Sequence, residues 1–190
     1  PDGYFEAAWR REPGGGPVLI NLIHEIDMLR FLCGEIAQVQ ALASNAVRGF
    51  AVEDTAAALL RFANGALGTV LLAHTTVAPW CWDFCAGEQD QYPRQDLNTL
   101  FVAGTEGSLS LPDLSLWRYE GERHWHHPIT REQRTALKAD PYTRQLLHFA
   151  AVIRGEEAPL CSALDGLRTL QATRAVLDAA ASGTAVSCTV

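Results

Sequence analysis

At 190 residues the chain is long enough for one good-sized domain with a substantial core. Its 48% hydrophobic and 19% charged residues mark a globular protein rather than a disordered or repetitive one, and no apolar run reaches the ~18 residues that crossing a bilayer needs. A formal charge of -7 speaks against nucleic acid as a partner, because a phosphate backbone calls for a basic face.

The start, Pro1-Asp2-Gly3-Tyr4, has neither the basic nor the apolar portion of a signal peptide, which predicts a cytoplasmic setting with no membrane partner. Tyr4 to Trp9 reads as a strand, and without an initiator methionine the chain is expected to be a fragment. Gly14-Gly15-Gly16-Pro17 then turns into a helix in which Ile20, Ile23, Leu29 and Leu32 serve the core. Asn21, His24 and Asp27 follow at i, i+3 and i+6 and so project from one side of it. Gly34 is a candidate C-cap, and Ile36 to Val47 alternates enough to be a strand. Residues 54 to 62 and 66 to 76 flank Asn64-Gly65, a pair that accepts the positive φ of a tight turn, which predicts an antiparallel hairpin. Small residues at Ala56, Ala57, Ala58 and Gly68 suggest close packing against something flat.

Ala78 to Asp96 is an irregular, aromatic excursion. Asn98 to Ala103, Ser108 to Leu111 and Leu114 to Tyr119 read as short strands, and Pro141 to Arg154 as a helix stopped by Gly155. Ser162 and Asp165 form a capping-box pattern ahead of a helix whose Leu164, Leu167, Leu170, Arg174, Leu177 and Ala181 make a stripe ending at Gly183. Strands mid-chain and helices at both ends predict an α+β domain, with helices on one face of a largely antiparallel sheet.

His24 is the main candidate for chemistry, since an imidazole's ordinary pKa of about 6.5 lets it exchange protons near neutral pH. Asp27 reads as its structural or orienting neighbour, able to pair with Arg30 one turn on. Asn21 either hydrogen-bonds a substrate hydroxyl or braces the turn; it cannot act as a base. Trp80 and Trp82 offer apolar faces that suit a sugar or polyol ring, or else pack in a core or a subunit contact, and Tyr92 lies in the same excursion. Lys138, the sole lysine, reads as surface. The five cysteines are odd in number and scattered, which predicts reduced, mostly buried thiols. Neither Cys81-x-x-x-Cys85 nor His124-Trp125-His126-His127 has a zinc-like pattern, so no metal is expected. No Gly-x-Gly-x-x-Gly follows a strand, so no cofactor-binding residue is expected in this chain.

The glycine-rich turn, the helix with His24-x-x-Asp27 and then Leu29-Arg30-Phe31-Leu32-Cys33-Gly34 resembles the start of the C-terminal domain of the Gfo/Idh/MocA oxidoreductases, the family of glucose–fructose oxidoreductase and inositol dehydrogenase. Glu53 to Phe62 with Asn64 to Gly68 resembles the family's central hairpin, and Asp165-Gly166-Leu167 through Gly183 its closing helix. The resemblance implies one C-terminal substrate-binding and oligomerisation domain over 1–190, dihydrodipicolinate reductase-like, with an open sheet whose helix-free face joins subunits into a homodimer or homotetramer. It further implies NAD or NADP held by a preceding domain of roughly 120 residues absent from this chain, a small-molecule substrate, and a proton-transfer role for His24 shared with a lysine of that absent domain. Without that domain the chain is expected to be inactive. Many family members carry an aspartate four residues before the histidine, where this chain has Ile20. That departure leaves open an alternative of another class, a non-catalytic dimerisation or ligand-binding module that retains the fold.

Overall fold

The structure, a computed structural model, describes residues 2–137 and 139–188, so Lys138 lies outside the described residues. Two 3-10 turns, Asp2–Phe5 and Ala8–Arg11, and a π-helical turn, Val18–Leu22, lead into α1 (Ile23–Cys33). Then follow β1 (Ile36–Ser44), β2 (Thr55–Phe62), β3 (Leu67–Ala73), α2 (Trp82–Ala86), β4 (Leu100–Ala103), β5 (Ser108–Leu111), β6 (Ser115–Arg118), β7 (Thr130–Gln133), α3 (Pro141–Ile153), α4 (Ala163–Ser182) and β8 (Val186–Ser187). The architecture is α+β with two open antiparallel sheets, and the chain divides into two compact units, 1–76 with 160–190 and 77–159.

The first unit carries the sheet β3-β2-β1-β8. Its hairpin closes over Asn64-Gly65 as the turn chemistry dictates: Gly65 takes φ 90°, and the Asn64 side chain accepts from Ala66 N–H at 3.0 Å and donates to Cys33 O at 2.9 Å. Along β2, buried Ala56, Ala58, Leu60 and Phe62 alternate with outward residues that include Ala57 and Leu59. That buried set lies on the same face as Val39 and Ala41 of β1, the strand on which α4 packs, and α4 also packs against α1.

Three expectations change here. Residues 4 to 9 form no strand, because the chain folds back on itself: the Arg10 guanidinium lies 3.8 Å from the Tyr4 ring centroid and donates to Tyr4 O at 2.7 Å. β1 ends at Ser44 rather than Val47, where the buried Asp54 carboxylate accepts from Val47 and Arg48 N–H and pulls the chain into a turn. On α4 the leucine stripe is not the buried face: Leu164, Leu167 and Leu170 are exposed, while Thr169, Ala172, Thr173, Ala175, Val176 and Ala179 are buried. A helix lying close over a sheet already lined by alanines has room for small side chains there and not for leucine.

The capping box at the start of α4 is present in full. Asp165 N–H donates to Ser162 Oγ, and the Ser162 N–H and Oγ–H both donate to the Asp165 carboxylate, at 2.9 and 2.6 Å. Those hydrogen bonds from Ser162 hold the Asp165 carboxyl below its ordinary pKa. A carboxylate whose folded pKa is depressed contributes stability above its unfolded pKa and loses it as pH falls through the folded value. Ser162→Ala should therefore lower Tm by a few degrees at pH 7 and by progressively less as pH is lowered through the folded pKa of Asp165, read by circular dichroism melts; a loss that does not change with pH would show that the ionised box contributes nothing.

The second unit holds the sheet β4-β5-β6-β7, so the strands expected around residues 98–119 form a sheet of their own. β7, Thr-Arg-Glu-Gln, is purely polar and gives no apolar alternation to read. α3 starts where Asp140 accepts from Thr143 N–H at 2.6 Å and Pro141 takes the first helical position.

Candidate functional site

The glycine turn is built for close approach. A Cβ on Gly15 would stand 2.0 Å from Trp9 O, and one on Gly16 only 2.4 Å from Glu53 Oε1. Pro17 follows, with no N–H to satisfy, and the first free amide of the helical run, Val18 N–H, donates to Glu53 Oε1 at 2.8 Å. The carboxylate thus occupies the place where a glycine-led helix start would hold a phosphate.

Beyond that turn Leu22, Ile26 and Leu29 face inward, which leaves Asn21 and His24 exposed on the other side. Among the described residues the His24 imidazole and the Asn21 carboxamide have no side-chain partner, so both are available to a hydroxyl-bearing molecule. Ile20, at the position of the family aspartate, is partly buried. His74, the other histidine of this unit, is different in kind: burial and then the Arg48 charge hold its pKa below the usual imidazole range.

Asp27 and Arg30 tie the helix down. Arg30 is buried, forks onto Glu35 through Nε at 3.0 Å and Nη2 at 2.8 Å, and donates from Nη1 to Asp165 O at 3.0 Å and to Thr169 Oγ1 at 2.5 Å. The Thr169 hydroxyl in turn donates to Asp27 Oδ1 at 2.5 Å, while Arg30 Nη1 stands 3.7 Å from the same oxygen. Glu35, Thr169 and Glu53 are the partners that sequence reasoning missed. Glu35 had a local signal, an acid just past a helix end that carries Arg30; Thr169, 139 positions from Arg30, had none.

Asn21, His24, Asp27 and Arg30 are brought together in the first unit, whereas Trp80, Trp82 and Tyr92 belong to the second. There Trp80 is exposed, Tyr92 meets Phe84 edge-on at 5.9 Å, and Trp82 donates its indole N–H to Glu88 Oε2 at 3.1 Å. Trp82 also lines a cavity of about 1230 Å³ with Arg94, Asp113, Arg131, Gln133 and Arg144. The thiols correct the expectation of burial: all five are free, but only Cys85 is buried, with its pKa pushed up by that burial, while Cys81 and Cys161 are exposed. His124, His126 and His127 gather on a turn with ring centroids 5.1 to 5.2 Å apart. Among the described residues no group of three or more His, Cys, Asp and Glu side chains is arranged to hold a metal ion, and no helix is long and apolar enough to cross a membrane.

Comparison with known proteins places these features. The chain is 28% identical over 179 residues to 1,5-anhydro-D-fructose reductase of Ensifer adhaerens, covering 93% of this chain and 48% of that protein. Among solved structures it resembles the WlbA dehydrogenase of Bordetella pertussis in complex with NADH and UDP-GlcNAcA, with a TM-score of 0.72, 22% identity and coverage of 100% of this chain and 51% of that one. A levoglucosan dehydrogenase in complex with NADH and levoglucosan superposes with a TM-score of 0.69 at 20% identity, over 96% of this chain and 54% of that one. The chain thus spans about half the length of the proteins it matches. The sequence model of the oxidoreductase family's C-terminal alpha/beta domain matches residues 2–188, and the chain belongs to that family, the Gfo/Idh/MocA oxidoreductases.

Proposed function

We propose that residues 1–190 are the substrate-binding and oligomerisation domain of an NAD(P)-dependent oxidoreductase that acts on a sugar, polyol or related hydroxy compound in the cytoplasm. The observation that carries this reading is His24: an exposed imidazole with no side-chain partner among the described residues, on a helix anchored at both ends, in a chain of this family. The sugar named for the reductase, and the NADH and sugars named for the two dehydrogenases, support the substrate and cofactor class.

The nicotinamide, when bound by the longer protein, supplies or accepts the hydride. This chain's glycine turn does not fit its pyrophosphate, because Glu53 already takes the Val18 amide. The chain's own residues bind and move a proton. A ring nitrogen of His24 takes the proton of the substrate hydroxyl in oxidation and returns it in reduction, and the Asn21 carboxamide hydrogen-bonds a hydroxyl and orients it. Asp27 and Arg30 hold the helix that carries them; in the second unit, Trp80 and Trp82 offer apolar faces that suit a sugar or polyol ring and Tyr92 a hydroxyl for a polar group. The outward sheet face, with Leu42, Leu59, Leu67 and Leu71 exposed on three adjacent strands, joins subunits.

The reading is tested by assaying the longer protein for NAD(P)-linked oxidation and reduction across a panel of sugars and polyols; no turnover with any of them would count against it. Calorimetry adds a second check. The 190-residue chain should show no measurable heat of binding with NAD or NADP, and micromolar affinity for either would mean that the dinucleotide site lies here after all.

A further inference from the structure

We propose that Glu53 is a positioning residue for the pair Asn21 and His24, a proposal that rests on the role given to His24 above. No side chain within the helical run caps its start, so the orphan amide of Val18 is satisfied from 35 residues away by the Glu53 carboxylate. That negative charge also complements the positive end of the helix. Gly16 makes the contact possible: an added Cβ would fall 2.4, 2.6 and 2.6 Å from Glu53 Oε1, Cδ and Oε2, so a side chain at 16 and the carboxylate cannot share the space.

Glu53 stands on fixed ground. Its neighbour Asp54 is buried, and the Asp54 carboxylate accepts from Val47 N–H, Arg48 N–H and Thr55 Oγ1–H at 3.1, 2.9 and 2.9 Å. The Asp54 backbone donates to Ser44 O and accepts from His74 N–H, which locks the β1–β2 connection to the sheet.

What the clamp controls is the junction between two helix types. Asn21 lies in the π turn Val18–Leu22 and His24 in α1, so their mutual direction depends on the π turn persisting. Relaxing that turn by one residue would rotate the segment before it by about 100° relative to α1. The Arg30 network fixes the far side of the junction, and Glu53 fixes the near side.

The test is nuclear magnetic resonance on the 190-residue chain, labelled with nitrogen-15 and with ring-labelled histidine, the His24 signal being identified by its loss in His24→Asn. Glu53→Ala should speed exchange of the Val18 amide about fivefold or more and move the His24 ring signal, while Glu53→Gln, which keeps an acceptor, should leave both near wild type. Gly16→Ala should reproduce the effect in the wild-type background and add little to Glu53→Ala, where the space is vacant. A folded Glu53→Ala protein with unchanged Val18 exchange and an unmoved His24 signal would overturn the proposal. Should that variant not fold, Gly16→Ala decides the matter, an unmoved His24 signal again overturning it. None of these readouts uses activity, so a failure of the catalytic role of His24 shows separately, in turnover.

Discussion

Under the proposed function, replacing His24 by alanine in the longer protein should lower kcat by ~10²-fold or more, the scale expected for losing a general acid–base group. The structure makes this variant informative because the ring is exposed and has no side-chain hydrogen-bond partner among the described residues. The neighbouring ties, Arg30 to Glu35, Asp165 and Thr169, do not pass through it. Tm should consequently stay within a degree or two of wild type, so that rate and stability separate. Turnover close to normal in His24→Ala would remove the proton-transfer role and favour a module that keeps the fold without the chemistry. A large fall in Tm alongside the rate would assign the histidine to the scaffold.

Two adjacent leucines should respond to the same substitution in opposite ways. Leu60 is 2% exposed and Leu59 56% exposed, because consecutive β2 residues point to opposite faces. Leu60→Asp puts a carboxylate on a buried face beside Ala58, Phe62 and its cross-strand partner Val39, where an unpaired charge costs several kcal/mol, a large part of the ~5–15 kcal/mol that holds a domain together. It should not fold, and circular dichroism should show no cooperative melt. Leu59→Asp keeps the core and places its charge opposite Gln40 and Thr69, with Leu67, 78% exposed, and Leu42, 74% exposed, diagonal to it on the flanking strands. Its melt should persist, while sedimentation at micromolar concentration changes from oligomer to monomer, since a stable contact of ~800 Å² per subunit tolerates no unpaired charge near its centre. A wild-type chain that sediments as a monomer would withdraw the oligomer.

How far these features were legible depended on whether their causes were local. Asn64-Gly65, Gly34, Gly183 and the Ser162/Asp165 pair act within a few residues, and each turn or cap stands where its chemistry requires. The α+β class followed from the same local signals. The leucines of α4 misled because periodicity shows that a face is apolar, not which apolar face a neighbour has room for. At the site, His24 and Asn21 were visible through spacing and resemblance, but the residues that hold their helix were not. Glu53, Glu35 and Thr169 matter through distances that only folding creates.

The first unit draws its sheet from the early part of the chain and its covering helix from the late part, and that order has a consequence during synthesis. Arg30 and Thr169 are 139 positions apart, so a ribosome adding ~5–20 residues per second delivers α1 and the β1–β3 sheet on the order of ten seconds before α4 exists. For that interval the buried face of β1, with Val39 and Ala41, lacks the helix that packs on it, whereas residues 77–159, contiguous in the chain, can close without waiting. Soluble yield should therefore depend on translation speed across the intervening stretch.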